Sequence, residues 1–259
     1  MPEGDAVWRT ARRLHGALAG QPLTRSDLRW PSLATADLRG ATTLEVVPRG
    51  KHLLHRLDTG LTLHSHLRMD GSWRVWETTD PPRAFRAHTV RAVLATAQST
   101  AVGDSLGMFD LVRTADEHRL VGHLGPDLLG PDWDAAEAAR RLAASPDALG
   151  AALLDQANLA GLGTMWTAEA LFAQGLDPWR PAADVPAAEL RALADRAHRI
   201  LRAAITSRFD ARRGHAVYRR LRQPCRRCGT PITAGTIGDA PRARTLFFCP
   251  SCQVSGSRR

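Results

Sequence analysis

The chain has 259 residues, 44% hydrophobic and 24% charged, enough for one large or two ordinary folded domains, which excludes a disordered chain. No run of about 18 apolar residues occurs, so no membrane span is expected; the charged N-terminal stretch lacks the apolar core of a secretory signal, and the expected location is the cytoplasm. Net charge is +9, yet residues 196–259 alone carry fifteen arginines against Asp210 and Asp239, while the preceding 195 residues are net −4, an asymmetry that points to a polyanion, most often nucleic acid.

Taken in chain order, residues 5–18 are expected to form an amphipathic helix, with Val7, Ala11, Leu14 and Leu18 on one face and Asp5 as N-cap. From about residue 21 to 122 the pattern is short and strand-like ("LLHRL", "LTLHSHL", "WRVW", "VRAVLAT"), and "KHLLHRLDTGLTLHSHL" predicts a hairpin turning at Asp58-Thr59-Gly60. Tandem strands of this kind predict a sandwich or a barrel. Of the 35 basic residues only Lys51, just before this hairpin, is lysine. A composition that uses arginine everywhere else singles out a position where a compact charge able to lose its proton is wanted. The histidines His52, His55, His64 and His66 lie along the same two strands. Without a cysteine or carboxylate to complete a set they are expected on a polar or polyanion-facing surface, not as a second metal site.

The Gly- and Pro-dense stretch 122–133 predicts a linker, and the segments beyond it carry helical periodicity. Within them "LLDQANLAGLGTMWTAEALF" is two helices joined by a turn. Gly161 and Gly163 leave backbone amides open ahead of a helix starting near Thr164, which is either an anion site or an ordinary helical hairpin. Cys225, Cys228, Cys249 and Cys252 are the chain's four cysteines, two C-x2-C pairs twenty residues apart. In a cytoplasmic protein that spacing predicts one structural Zn²⁺ held between the strands "TPIT" and "RTLFF", and Arg226, Arg227, Arg242 and Arg244 on this piece suit a phosphate backbone.

Four features in this order, "MPEG", "RGKHLL", "LLDQANLAGLG" and "RTLFFCPSC", resemble the formamidopyrimidine-DNA glycosylase/endonuclease VIII family of base-excision repair enzymes along essentially the whole chain, and "MPEG" is closer to the endonuclease VIII branch. The resemblance implies an α+β multidomain fold: an N-terminal β-sandwich with flanking helices over 1–121, a linker over 122–133, a helix–two-turns–helix domain over 134–222 and a zinc finger over 223–259. It further implies that Met1 is trimmed, that Pro2 becomes the nucleophilic amine attacking the sugar C1′, and that Glu3 is its proton partner. By the same resemblance Lys51 is the proton donor of β-elimination, and Arg244 is the phosphate clamp linked to δ-elimination. Arg68 and Met69 would occupy the space left by an extruded nucleotide, with Met69 either an apolar wedge or a core methionine. His123, Gly163 and Thr164 would contact DNA.

Ala6 stands where the family has a second glutamate, with Asp5 as a partial substitute; Thr164 stands for the usual asparagine, and His123 for an arginine. These departures indicate a divergent endonuclease VIII subgroup, with oxidised pyrimidines and abasic sites as first substrates and 8-oxoguanine second. The expected assembly is a monomer on damaged DNA. The competing reading is a non-catalytic zinc-ribbon DNA-binding protein that need not keep Pro2 and Glu3.

Overall fold

A computed structural model of the protein describes residues 2–78, 88–206, 214–241 and 243–254. The chain divides into two compact units, one made of residues 1–2 and 6–123, the other of residues 3–5 and 124–259.

Helix α1 (Gly4–Leu18) belongs to the first unit from Ala6 on, and its stripe of Val7, Ala11, Leu14 and Leu18 is buried as the spacing predicts. Asp5 lies inside the first turn and not at the cap. The strands β1 (Arg25–Leu28), β2 (Thr43–Arg49), β3 (His52–Leu57), β4 (Leu61–His66), β5 (Ser72–Glu77), β6 (Val90–Ala95), β7 (Ser99–Asp104) and β8 (Met108–Arg113) form two four-stranded sheets, ordered β2-β3-β4-β8 and β1-β6-β7-β5. Every pairing is antiparallel. Leu53, Leu57, Leu63 and Phe109 from one sheet meet Leu28, Ala92, Leu94 and Trp73 from the other in one apolar core shared with α1. The expected sandwich is present.

Two turns set the central hairpins. Arg49 pairs with His52, so Gly50-Lys51 is a two-residue loop, and Gly50 supplies the positive φ of 58° that a type II′ turn needs at its first central position. The β3–β4 loop is Asp58-Thr59-Gly60, as expected, and the Asp58 carboxylate accepts from Thr42 N at 2.9 Å. Beyond β8, a short helix α2 (His118–Val121) follows Glu117. The Glu117 carboxylate takes both Nε and Nη2 of Arg56 at 2.8 and 2.7 Å and the Thr62 hydroxyl at 2.6 Å, tying the segment to the outer face of β3 and β4.

The second unit is helical: α3 (Ala135–Ala143), α4 (Leu149–Leu154), α5 (Thr164–Gln174) and α6 (Ala187–Ile205), then a hairpin of β9 (Thr233–Ile237) and β10 (Arg244–Phe248). Asp134 caps α3 by accepting from Ala136 N and Glu137 N. Residues 124–128, inside the expected linker, are buried; Leu128 N donates to Ala160 O and His198 Nδ1 binds Leu128 O at 2.7 Å, so this stretch is built into the unit. The first ribbon strand starts later than "TPIT". Ile232 exchanges backbone bonds with Arg222 and Gln223 instead, and Pro231 brings no N–H to a ladder. Nor is the ribbon a separate object. Ile232, Ile237, Leu246, Cys225 and Cys249 share one buried cluster with the helices, because so small a hairpin has too little apolar area to enclose its own core.

Candidate active site and DNA interface

The turn between α4 and α5 is wired by its own polar side chains. Gln156 Nε2 donates to Leu154 O and Leu162 O, its Oε1 accepts from Gly161 N at 3.0 Å, and Asn158 Nδ2 donates to Ala152 O. The result is a fixed turn that aims the first amides of α5 at one point, and the group at that point is the Glu3 carboxylate. Oε2 accepts from Gly163 N at 2.9 Å and Trp166 N at 3.2 Å, and Oε1 from Met165 N at 2.8 Å. Glu3 is 2% exposed. Three of the helix's otherwise unsatisfied N–H donors, at the positive end of its dipole, hold one anion.

The open amides therefore do form an anion site, and the anion is the protein's own. The Gly163 N–H is one of its donors. A Cβ at Gly163 would stand 2.5 Å from Glu3 Cδ, so glycine is required by close approach. Gly4 N donates to Gly161 O at 2.9 Å, and a Cβ on Gly4 would come within 3.0 Å of that oxygen. Asp5 accepts from the Trp166 indole at 2.9 Å, a buried partner that explains why it does not serve as the cap. Thr164 is the first residue of α5 and half-buried.

In the first unit, Pro2 is half-buried and Met1, whose removal the reading requires, lies outside the described residues. Lys51 sits at the tip of the β2–β3 hairpin, half-buried. On the outer face of the sheet next to it, His52 pairs across to His66, and His64 to Asp110. Burial pushes His52 down to about 3, with His66, His64, His123 and Lys51 adding to the effect. Burial, then Arg68 and Lys51, pushes His66 down to about 4. His55 points to the opposite, core face, where burial lowers it to about 4 and its Nε2 meets the Thr43 hydroxyl at 2.7 Å.

The loop after β4 is pinned to this cluster. Arg68 N donates to His66 Nδ1 at 2.9 Å, Arg68 takes a positive φ of 55°, and Gly107 leaves the space its side chain fills. Met69 is 62% exposed, which removes the core-methionine alternative. His123 is exposed, its ring 6.4 Å from that of His52.

In the ribbon the four cysteine sulfurs lie within 4.8 Å of one another, with Cys228–Cys249 at 3.5 Å, Cys228–Cys252 at 3.4 Å and Cys225–Cys252 at 3.9 Å. A tetrahedral Zn²⁺ with bonds of about 2.3 Å needs sulfurs about 3.8 Å apart, so the set fits. Arg244 opens β10, exposed. Arg227, exposed, stacks over Phe172 at 4.3 Å and is bonded to Ala173 O, while Arg242 lies outside the described residues.

Residues 1–110 match the formamidopyrimidine-DNA glycosylase N-terminal domain, and residues 124–212 match the formamidopyrimidine-DNA glycosylase H2TH domain. The chain is 51% identical to a probable endonuclease 8 2 of Streptomyces coelicolor, covering 100% of this chain and 96% of that one. It is 41% identical to a DNA-(apurinic or apyrimidinic site) lyase of Mycolicibacterium smegmatis, covering 98% and 100%.

The chain belongs to the formamidopyrimidine-DNA glycosylase/endonuclease VIII family.

An endonuclease 8 of Escherichia coli is 35% identical over 98% of this chain and 100% of its own. The fold is that of the Lactococcus lactis formamidopyrimidine-DNA glycosylase, solved non-covalently bound to DNA containing an AP site, with a TM-score of 0.83 at 24% identity, covering 97% of this chain and 99% of that one. As a family member the protein is a DNA glycosylase/AP lyase of the endonuclease VIII type.

The expected site residues fall into two sets. Pro2, Lys51, Arg68, Met69 and His123 belong to the first unit; Glu3, Gly163, Thr164, Arg244 and the four cysteines belong to the second. Sequence reasoning missed Glu169, whose carboxylate accepts from Ala216, Val217 and Tyr218 N at 2.8–2.9 Å and anchors the approach to the ribbon. A lone acid inside the apolar run "MWTAEALF" was the available signal. It also missed Asp110, which only strand pairing brings to the histidines.

Proposed function

We propose that the protein removes oxidised bases, pyrimidines first, and cleaves the strand by β,δ-elimination through a covalent intermediate on Pro2. The amine of Pro2, freed by loss of Met1, forms a bond to C1′ as the C1′–base bond breaks and the base departs with a proton. The C1′–O4′ bond then opens as O4′ takes a proton, giving the iminium. This acidifies C2′, whose proton is lost as the C3′–O bond breaks and the 3′ phosphate leaves. Loss of the C4′ proton then breaks C5′–O and releases the 5′ phosphate, and water hydrolyses the iminium to free Pro2 and the unsaturated sugar fragment. Glu3, adjoining Pro2, is the group that exchanges protons with the reacting sugar. Lys51 donates to the β-elimination step and Arg244 holds phosphate. Arg68 and Met69 take the place of the extruded nucleotide, Met69 as the apolar wedge, and Thr164 and His123 contact the backbone.

The observation that carries this reading is the carboxylate of Glu3, the residue after Pro2 in the chain, buried and fixed by three backbone donors. A protein that only bound DNA would have no use for so constrained an acid. The four cysteines suit one structural Zn²⁺, which would hold the ribbon and with it Arg244. The protein would act as a monomer in the cytoplasm, on damaged DNA.

Borohydride reduction of the processed protein with an abasic-site duplex tests the reading. The expected result is a covalent protein–DNA adduct that disappears in protein carrying an extra glycine ahead of Pro2, which turns the Pro2 nitrogen into an amide. Salt-sensitive binding with neither adduct nor cleavage would establish the binding-only alternative instead.

A further inference from the structure

Ahead of the ribbon, residues 216–224 form a turn that is held more firmly than a connection requires. Glu169 on α5 accepts from its first three amides, those of Ala216, Val217 and Tyr218. Its far end is stitched to the ribbon, with Arg222 N donating to Ile232 O at 2.8 Å and Ile232 N to Gln223 O at 2.9 Å. Arg220 braces the interior. Its guanidinium donates to Ala216 O at 2.6 Å, to Pro224 O at 2.9 Å and to Gln223 Oε1 at 3.0 Å.

The arginines to either side, Arg219 and Arg222, are in a different situation. Their φ angles are 57° and 63°, in the left-handed region. Glycine adopts that conformation freely and asparagine tolerates it, whereas a long side chain on Cβ is disfavoured there. Arginine therefore has no conformational reason to stand at either position. Both side chains are exposed, and Arg219 lies 5.5 Å from the centroid of the Tyr218 ring. Residues 214–238 contain no Asp or Glu, so the turn has no acid of its own to neutralise them. Among the described residues no ion pair engages either guanidinium.

A backbone conformation kept at a cost, on a surface turn, at two charged residues, is offset by what the charges bind. A guanidinium matches the paired oxygens of a phosphate, and DNA, on which this family acts, is a dense row of phosphates. We propose that the turn 219–222 is a clamp on the DNA backbone, in which Arg219 and Arg222 each hold a phosphate and Arg220 is the positioning residue that sets the turn. Because Arg220 and Glu169 fix the turn before DNA arrives, little ordering is left for binding to impose. None of the residues assigned above to the sugar chemistry, the extruded nucleotide or the phosphates belongs to this turn. The inference concerns grip and not cleavage, so it stands without the Pro2 mechanism.

The test uses the zinc-loaded full chain and the variants Arg219→Gly, Arg222→Gly and their double. Glycine suits both φ angles, so stability and DNA affinity are expected to move in opposite directions. The melting temperature without DNA should equal or exceed that of the wild type. Affinity for a duplex carrying a tetrahydrofuran abasic analogue, which has no base to release, is measured between about 50 and 200 mM salt. The slope of log affinity against log salt is expected to become shallower by about 0.9 in each single variant and about 1.8 in the double. Lysine at both positions keeps the charge and should keep the wild-type slope. Arg140→Gln removes a charge that Glu137 already neutralises at 2.7 Å, and should leave the slope unchanged. A double glycine variant with the wild-type slope overturns the inference. So does one that melts below the wild type, which would make the two arginines part of the turn's own structure. An equal change of slope in Arg140→Gln would assign the effect to net charge and overturn it as well.

Discussion

Glu3 and Gly163 explain each other. The carboxylate occupies the space a side chain on Gly163 would need, and the glycine amide is one of three donors that keep it there. Gly163 has an ordinary negative φ of −124°, so its identity answers to crowding and not to backbone strain. Gly163→Ala is expected to displace the Glu3 carboxylate, to cost about 2 kcal/mol in urea denaturation through the loss of charge-assisted hydrogen bonds, and to abolish most strand cleavage while DNA binding persists. Wild-type cleavage by that variant would remove Glu3's fixed position from the mechanism. At Lys51 a different single-residue constraint operates. Gly50 makes the two-residue turn possible, and the turn puts the chain's lone lysine at a hairpin tip.

At the scale of the element, strand β3 carries two histidines in opposite situations. His55 faces the sandwich core against Thr43, and His52 faces the polar outer row. Both are held neutral by burial, down to about 4 and about 3. The consequence for stability has a definite sign. Above the ordinary histidine value of 6.5 both the folded and unfolded chains hold these rings neutral, and their full contribution is present. As pH falls below 6.5 the unfolded chain takes up protons that the folded chain refuses until about 4 for His55, so stability declines across that window. Each ring contributes about 1.4 kcal/mol of loss per pH unit. His55→Gln, which keeps a partner for Thr43, is expected to flatten the fall in urea midpoint between pH 6.5 and 4; an unchanged slope would assign the acid sensitivity elsewhere.

For the molecule as a whole, the helical unit and the ribbon are one cooperative body, because Cys225 and Cys249 are buried in the same cluster as Leu149, Leu153 and Trp166. A metal held by these thiolates would therefore stabilise the whole second unit, not a detachable finger. Removing it with a strong chelator is expected to lower the melting temperature of the helical signal in circular dichroism along with ribbon order, and added Zn²⁺ should restore it. A helical transition indifferent to chelation would show that the ribbon melts alone. Among the described residues no helix is long and apolar enough to cross a membrane.

Much of this was legible from local pattern. The α1 stripe, the β3–β4 turn, the two-glycine turn before α5 and the paired cysteines depend on neighbours close in sequence or on spacing, and each of them is present in the structure. The parts that were not legible depend on partners far apart in the chain. Asp5 seemed a cap until Trp166, 161 residues away, claimed its carboxylate. The open amides of the glycine turn suited any anion, and only the folded chain decided that Glu3 fills them. Asp110, His64 and His52 are unremarkable singly; strand register alone stacks them into a chain. Periodicity and turn chemistry are local energies and can be read along a line, whereas a buried carboxylate's choice of donor is settled by which surfaces the fold closes together. The sequence by itself determined the kinds of chemistry available to this protein, and the tertiary structure decided which charge each group faces.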